Sequence, residues 1–189
     1  MSRRAVSEKD LTQTKLLGAE EMDHVVQRIG LEILEKHNGR QMAFVGIHER
    51  GVVLADRVYE AVSQKNKTVS RGTIDITLYR DDLDNLGTIP SVRGTELPFD
   101  VEGSLIVLFD DVLFTGRTIR AAIDVLIDYG RPARIELAVL VDRGNRELPI
   151  CPNYTGKFVE TRSNEYIRVR FHEGDGEDAV YLLREDSPR

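Results

Sequence analysis

The chain has a single cysteine, Cys151, no tryptophan, six prolines, and no apolar run approaching the ~20 residues that cross a bilayer. Each shortage excludes a class. One thiol forms neither an intrachain disulfide nor a thiolate metal cluster, so a reducing, cytoplasmic setting is expected. Few prolines and glycines without a period exclude a linker array and a fibrous chain. The opening MSRR leads into no apolar segment, so neither export nor a membrane partner is expected. Positive charge is in deficit, with 26 Lys and Arg against 32 Asp and Glu and a net charge of -6, which gives no global attraction for nucleic acid. What remains is 189 residues, 41% apolar and 31% charged, the composition of one ordinary globular domain. Charge is uneven within it: Arg131 to Arg170 is mostly basic and Glu173 to Asp186 mostly acidic, so a local basic face stays open.

Hydrophobic periodicity organises the chain. Residues 1–16 lack it and are expected to be frayed, as are 185–189; a single domain is expected over 17–184. Met22, Val25, Val26, Ile29 and Ile33 recur at helical spacing and predict a helix over Ala19 to Lys36. Met42 to Ile47 reads as a buried strand ending in HERG, Val52 to Val62 as a helix, and Thr73 to Tyr79 as a half-buried strand with alternating Ile74, Ile76 and Leu78. An aperiodic stretch to Gly103 follows; spanning about 79–103, it exceeds ordinary connections and is expected to be an active-site lid. Then come a strand at Leu105 to Phe109, a helix from Arg117 to Tyr129 stopped by Gly130, and strands at Arg134 to Val141, Tyr166 to Phe171 and Ala179 to Leu183. This strand–helix–strand grammar belongs to an α/β fold with a mostly parallel sheet. His24, His37 and His172 are expected at the core edge or surface, and Cys151 as a neutral turn residue.

The sharpest constellation is SLIVLFDDVLFTGRTIRAA, from Ser104 to Ala122. A dry strand delivers Asp110 and Asp111 to its carboxyl end, where open parallel sheets keep their crevices. Two adjacent carboxylates there need donors or a cation. The turn Phe114-Thr115-Gly116-Arg117-Thr118 then enters a helix, whose free N–H groups and positive end form a nest for a phosphate. Alone, either half would read as a turn or a helix cap. Together they suggest a ligand with hydroxyls at one point and a phosphate a few Å away, a ribose 5-phosphate. No GxxxxGK[ST], GxGxxG or HExxH motif competes.

FDDVLFTGRT resembles the phosphoribosyl pyrophosphate (PRPP) loop of the type I phosphoribosyltransferases, and the resemblance runs from about Leu17 through Leu183. VGIHERG, GTIDITLYRDDL, AAIDVLIDYGRPARIELAVLVDRGNRELPI and YTGK are similar to one branch, the bifunctional pyrimidine operon regulators, which attenuate transcription by binding messenger RNA and have uracil phosphoribosyltransferase activity. The resemblance implies the type I fold, with a small hood over the base site. It implies that Asp110 and Asp111 hold the ribose hydroxyls, and that the backbone through Val112, Leu113, Phe114, Thr115, Gly116, Arg117 and Thr118 holds the 5-phosphate. His48, Glu49, Arg50 and Gly51 match the pyrophosphate loop, with Arg50 facing the leaving group and Arg80 steadying it from the lid. Val141, Asp142 and Arg143 match the wall over uracil; Asp142 and Arg143 equally suit a mutual pair or a shaped turn. Magnesium is implied, carried mainly by PRPP, with no dedicated ligand set.

The regulatory activity implies a leader-mRNA face, on which Arg146 and Lys157 match basic positions and Arg134 and Arg143 would extend the charge. Asn145 stands where the branch has histidine, and Gln27 and Leu31 replace a threonine and a histidine; leucine supplies no hydrogen bond. UMP or another uridine nucleotide in the PRPP site would bias RNA binding, and a homodimer or higher oligomer is implied. A uracil phosphoribosyltransferase without RNA regulation, an enzyme for another nucleobase, and a catalytically silent nucleotide sensor remain alternatives.

Overall fold

In a computed structural model the protein is described over residues 11–37, 39–63, 65–79 and 94–185. Five parallel strands form the central sheet, in the order β3-β2-β4-β5-β6: β2 is Met42–Ile47, β3 Val69–Ile74, β4 Leu105–Leu113, β5 Arg134–Asp142 and β6 Tyr154–Phe158. Helices α1 (Ala19–His37) and α2 (Arg50–Ser63) cover one face, and α3 (Arg117–Tyr129) covers the other. Alternate side chains of β4 serve both layers: Val107 and Phe109 pack with Met22, Ile29 and Leu54, whereas Ile106 and Leu108 pack with Ile119, Val125 and Leu126. Burial on two sides explains why LIVLF is continuously apolar. A second, antiparallel sheet, ordered β1-β8-β7, is built from Leu11–Leu17, Ala179–Glu185 and Glu165–Arg170, with the short helix α4 at His172–Asp175.

The helix boundaries expected for α1 and α3 hold within one residue. Three expectations change. Leu11 to Leu16 are not frayed but form β1, held by β8 from the far end of the chain, a partner no local pattern reveals. The strand expected at Thr73 to Tyr79 instead covers Val69–Ile74, in register with β2; the chain then turns where the Asp75 carboxylate accepts the Thr77 N–H at 2.8 Å, and a 3₁₀ turn occupies Thr77–Tyr79. Burial of both Ile74 and Ile76 across that turn mimicked strand alternation. Thirdly, β4 runs on to Leu113, because Asp110, Val112 and Leu113 pair with Val139, Val141 and Asp142 of β5. The aspartates therefore sit on the strand itself. Most of the expected lid, including Arg80, lies outside the described residues; its described end pairs Glu96 with Thr73.

Candidate functional site

The carboxyl ends of β2, β3 and β4 open on a cavity of about 350 Å³, bordered by His48, Arg50, Asp75, Asp110, Asp111 and Thr118. Strand β4 supplies both acids. Burial pushes the Asp110 carboxyl well above the usual carboxylate range, and the Asp111 charge beside it adds to the rise. Burial raises Asp111 as well, opposed by the Arg50 guanidinium. Asp75, 8% exposed at the end of β3, is a further carboxylate on the same cavity, beside Glu49, Asp110 and Asp111, and was not anticipated, because the strand reading placed it on a solvent face. Its only sequence signal is an acid at a parallel strand's carboxyl end.

The turn after β4 is shaped for close approach. Gly116 has φ +93°, a left-handed conformation that a side chain disfavours, and a Cβ there would come within 3.3–3.4 Å of Leu148 and Ile150. The N–H groups of the first turn of α3, which follows β4 at the carboxyl end of the sheet, have no intrahelical partners by construction. Thr115 turns its hydroxyl back to the Arg117 N–H at 3.3 Å. Phe114, expected only as loop backbone, exposes its ring, with the Arg143 guanidinium 4.0 Å above the ring centre.

Gly51 brings the start of α2 against β4: a Cβ would lie 2.4 Å from the Phe109 carbonyl oxygen and 3.1 Å from the Asp110 Cα. This contact places the His48–Gly51 turn beside the acidic pair. Arg50 is not turned wholly toward the cavity, as expected of a leaving-group clamp. Its Nε donates to the Val169 carbonyl at 2.9 Å and its terminal nitrogen pairs with Asp175 at 3.2 Å, joining the His48–Gly51 turn to β7 and α4. Behind it a second opening of about 690 Å³ is shared by Arg50, Asp111, Ile167, Val169 and Asp175. The β7 and α4 residues were missed because only the pairing of β7 with β8 brings them beside β4.

The expected base wall is divided. Val141 is fully buried in the core, so its backbone alone is left to meet a ligand. Asp142 shapes the turn: its carboxylate accepts from the Gly144 N–H at 2.9 Å and from Arg146 at 2.6 Å. Arg143 is 8% exposed and donates to Thr161 Oγ1 and the Glu165 carbonyl, so it is spent inside rather than extended toward RNA. Arg134 stands at the opposite end of β5, about 26 Å away at ~3.3 Å per strand residue, paired with Glu136 at 2.7 Å. The four basic residues expected on one RNA face therefore do not form one patch; Lys157, half-buried on β6, and Arg146 lie nearer the carboxyl end. Asn145 has φ +56°, which asparagine tolerates, and its amide donates to the Thr161 carbonyl at 2.8 Å. Gln27 and Leu31 are exposed on α1.

His37, expected at the edge or surface, is buried and meets Glu136 at 2.8 Å. Among the described residues no three metal-ligating side chains converge as a ready metal site, and no helix is long and apolar enough to cross a membrane.

A parallel sheet with a buried and a half-buried acid and a glycine turn at the carboxyl end of one strand defines a class, and the chain belongs to it: residues 12–172 match the family model of the phosphoribosyl transferase domain. Within that family it is 52% identical over 176 residues to the bifunctional protein PyrR of Thermus aquaticus, covering 92% of this chain and 97% of the relative. It is 51% identical over 174 residues to the bifunctional protein PyrR of Chloroflexus aurantiacus, covering 91% and 96%. Crystal structures share the fold at low identity. The hypoxanthine phosphoribosyltransferase of Trypanosoma cruzi superposes with a TM-score of 0.70 at 17% identity, over 92% of this chain and 97% of that one. That of Staphylococcus aureus gives 0.67 at 18% identity, over 97% and 98%.

Proposed function

We propose that the protein transfers ribose 5-phosphate from PRPP to N1 of uracil, giving UMP and pyrophosphate, and that a uridine nucleotide in the same site tunes its binding to pyrimidine leader mRNA. The observation that carries the catalytic half is the joint placement of Asp110, Asp111 and the Gly116 turn on the end of one strand, beside Arg50. Hydroxyl donors of a ribose would offset the burial that raises both carboxyls, beyond what the Asp111 N–H and Arg50 already offset. The N–H groups around Gly116 take the 5-phosphate. With the sugar held at both ends, C1 is presented toward Arg50, whose guanidinium balances charge on the departing pyrophosphate. No protein nucleophile is needed: orientation and exclusion of water supply the rate. Asp75 and Asp111 would hold a magnesium ion arriving on the pyrophosphate, and a carboxylate-lined cavity suits that hard cation. The chemistry it supplies when bound is charge neutralisation of the leaving group. The opening between Asp111 and β7 gives the base a second wall, of backbone and apolar atoms at Ile167 and Val169.

The regulatory half is supported by 52% identity across nearly the whole chain to a protein named bifunctional. Lys157 on the edge strand offers it a positive charge, near Arg28 of α1, which reaches the Thr155 and Gly156 carbonyls and pairs with Glu32. A homodimer would bring a second such charge. Uracil, PRPP and magnesium should yield UMP; turnover of orotate or hypoxanthine in place of uracil would overturn the base assignment. A low-salt shift of leader RNA should strengthen with UMP, and an RNA affinity indifferent to UMP would remove the regulatory half alone.

A further inference from the structure

The connection from β5 to β6 lies directly behind the phosphate turn. The Glu147 and Leu148 N–H groups both donate to the Thr115 carbonyl, at 3.0 and 3.1 Å, and Leu148 and Ile150 fill the space beside Gly116. One side chain ties this backing together. Arg146 donates from Nε to the Ile150 carbonyl at 3.0 Å, from one terminal nitrogen to the Phe114 and Gly144 carbonyls at 2.9 and 3.1 Å, and from the other to the Asp142 carboxylate at 2.6 Å. Four of the five N–H donors of a guanidinium are thereby engaged, and the side chain is 20% exposed.

From this geometry we infer that Arg146 is a positioning residue for the sugar-phosphate turn: it fixes the Phe114 carbonyl, and with it the adjoining N–H groups, to the end of β5. The inference rests on the phosphate-binding reading of that turn, and it assigns Arg146 a task other than the RNA contact expected from the sequence. The four acceptors lie in different directions around one planar fork. A lysine, a single ammonium on a flexible stem, cannot span them. The charge near the turn is therefore not what matters; the fork is. The link also gives the turn a mechanical connection to Asp142, so a phosphate that orders the turn orders the end of β5 as well.

Titration of UMP and of uridine into wild-type protein, R146K and R146A tests this, with a thermal melt of each to establish folding. The 5-phosphate distinguishes the two ligands, so loss of the turn lowers UMP affinity and spares uridine, whereas general loosening lowers both. In both variants UMP should bind ~10-fold or more weakly, since small misplacements of positioned groups carry penalties of that size, with uridine unaffected. The KM for PRPP should rise with kcat nearly unchanged. R146K that retains the wild-type preference for UMP over uridine, including one that loses only RNA affinity, would overturn the inference, as would an equal loss of both ligands. Wild-type protein that binds uridine and UMP equally would remove the phosphate-binding reading itself, and this role with it.

Discussion

The two ends of the central sheet bury carboxylates in opposite ways. At the carboxyl end, Asp110 and Asp111 lie side by side, with burial raising both. At the amino end, Glu136 of β5 is 1% exposed yet surrounded by donors: Tyr154 Oη at 2.5 Å, Arg134 at 2.7 Å, His37 at 2.8 Å and Lys36 at 3.0 Å. Burial would raise Glu136 too, but the hydrogen bonds from Tyr154, His37 and Lys36 outweigh it and bring the carboxyl to about 2. The same chemical group thus meets four side-chain donors at one end and, at the other, backbone N–H groups and the nearby Arg50 charge, which leave burial the larger influence. A buried acid ringed by cations holds structure together; one whose burial is less offset, in a cavity, is a candidate for a ligand.

Exchanging charge for amide at each end should separate these roles. The largest effect is expected at the carboxyl end, where D110N/D111N removes two charge-assisted acceptors for ribose hydroxyls. At ~1.5–3 kcal/mol for each such bond, kcat/KM for PRPP should fall ~10²-fold or more. The melting temperature should hold or rise, because two charges that burial penalises are gone. Steady-state kinetics beside a thermal melt reads both. A large loss of stability without loss of PRPP affinity would make the acids structural and erase the contrast.

At the amino end E136Q should do the reverse. It strips Lys36 and Arg134 of their counter-charge and weakens the hydrogen bonds from His37 and Tyr154; with both cations more than a third exposed and screened, the loss should be ~1–2 kcal/mol. Denaturant unfolding should show that loss, while kcat for UMP formation at assay temperatures well below the transition stays at the wild-type value. An E136Q enzyme as stable as wild type would mean that the network contributes little beyond filling space.

What could be read from the sequence follows the same division between local and distant causes. The apolar strand, the acid pair, Gly116 and α3 are consecutive from Leu105 to Tyr129, so their spacing carries the site's first half. The bounds of β4 were too short because strand length is set by β5, not by where hydrophobicity stops. Strand β1 was hidden because its partner among the described residues is the distant β8. The wall at Ile167 and Val169 is brought to Asp111 by tertiary packing. Arg146 shows the limit most plainly: the pattern marked it as basic, but charge in a sequence does not say whether a fork points outward or is closed on four internal acceptors.

The smallest effect, and the finest test of the contrast, is its pH dependence. Glu136 is lowered from 4.5 to about 2 on folding, so the stability it contributes is complete above pH ~4.5 and is lost as pH falls toward 2. Asp110 has the opposite sign. Its folded carboxyl is raised, so the unfolded chain ionises more readily, and acidification through the raised range relieves the folded state rather than weakening it. Ligand affinity moves against stability there, because a protonated Asp110 is a poorer acceptor for a ribose hydroxyl. On lowering the pH from neutral, UMP and PRPP should therefore bind more weakly before the melting temperature begins its acid decline. In E136Q the acid limb of stability should flatten while the affinity profile stays. In D110N the pH slope of the affinity should become shallower, Asp111 and the ligand phosphate keeping the rest, while the acid limb stays. Two profiles that shift together in either variant would join the two ends into one titrating unit, and the division between the carboxylates of the two ends would fail.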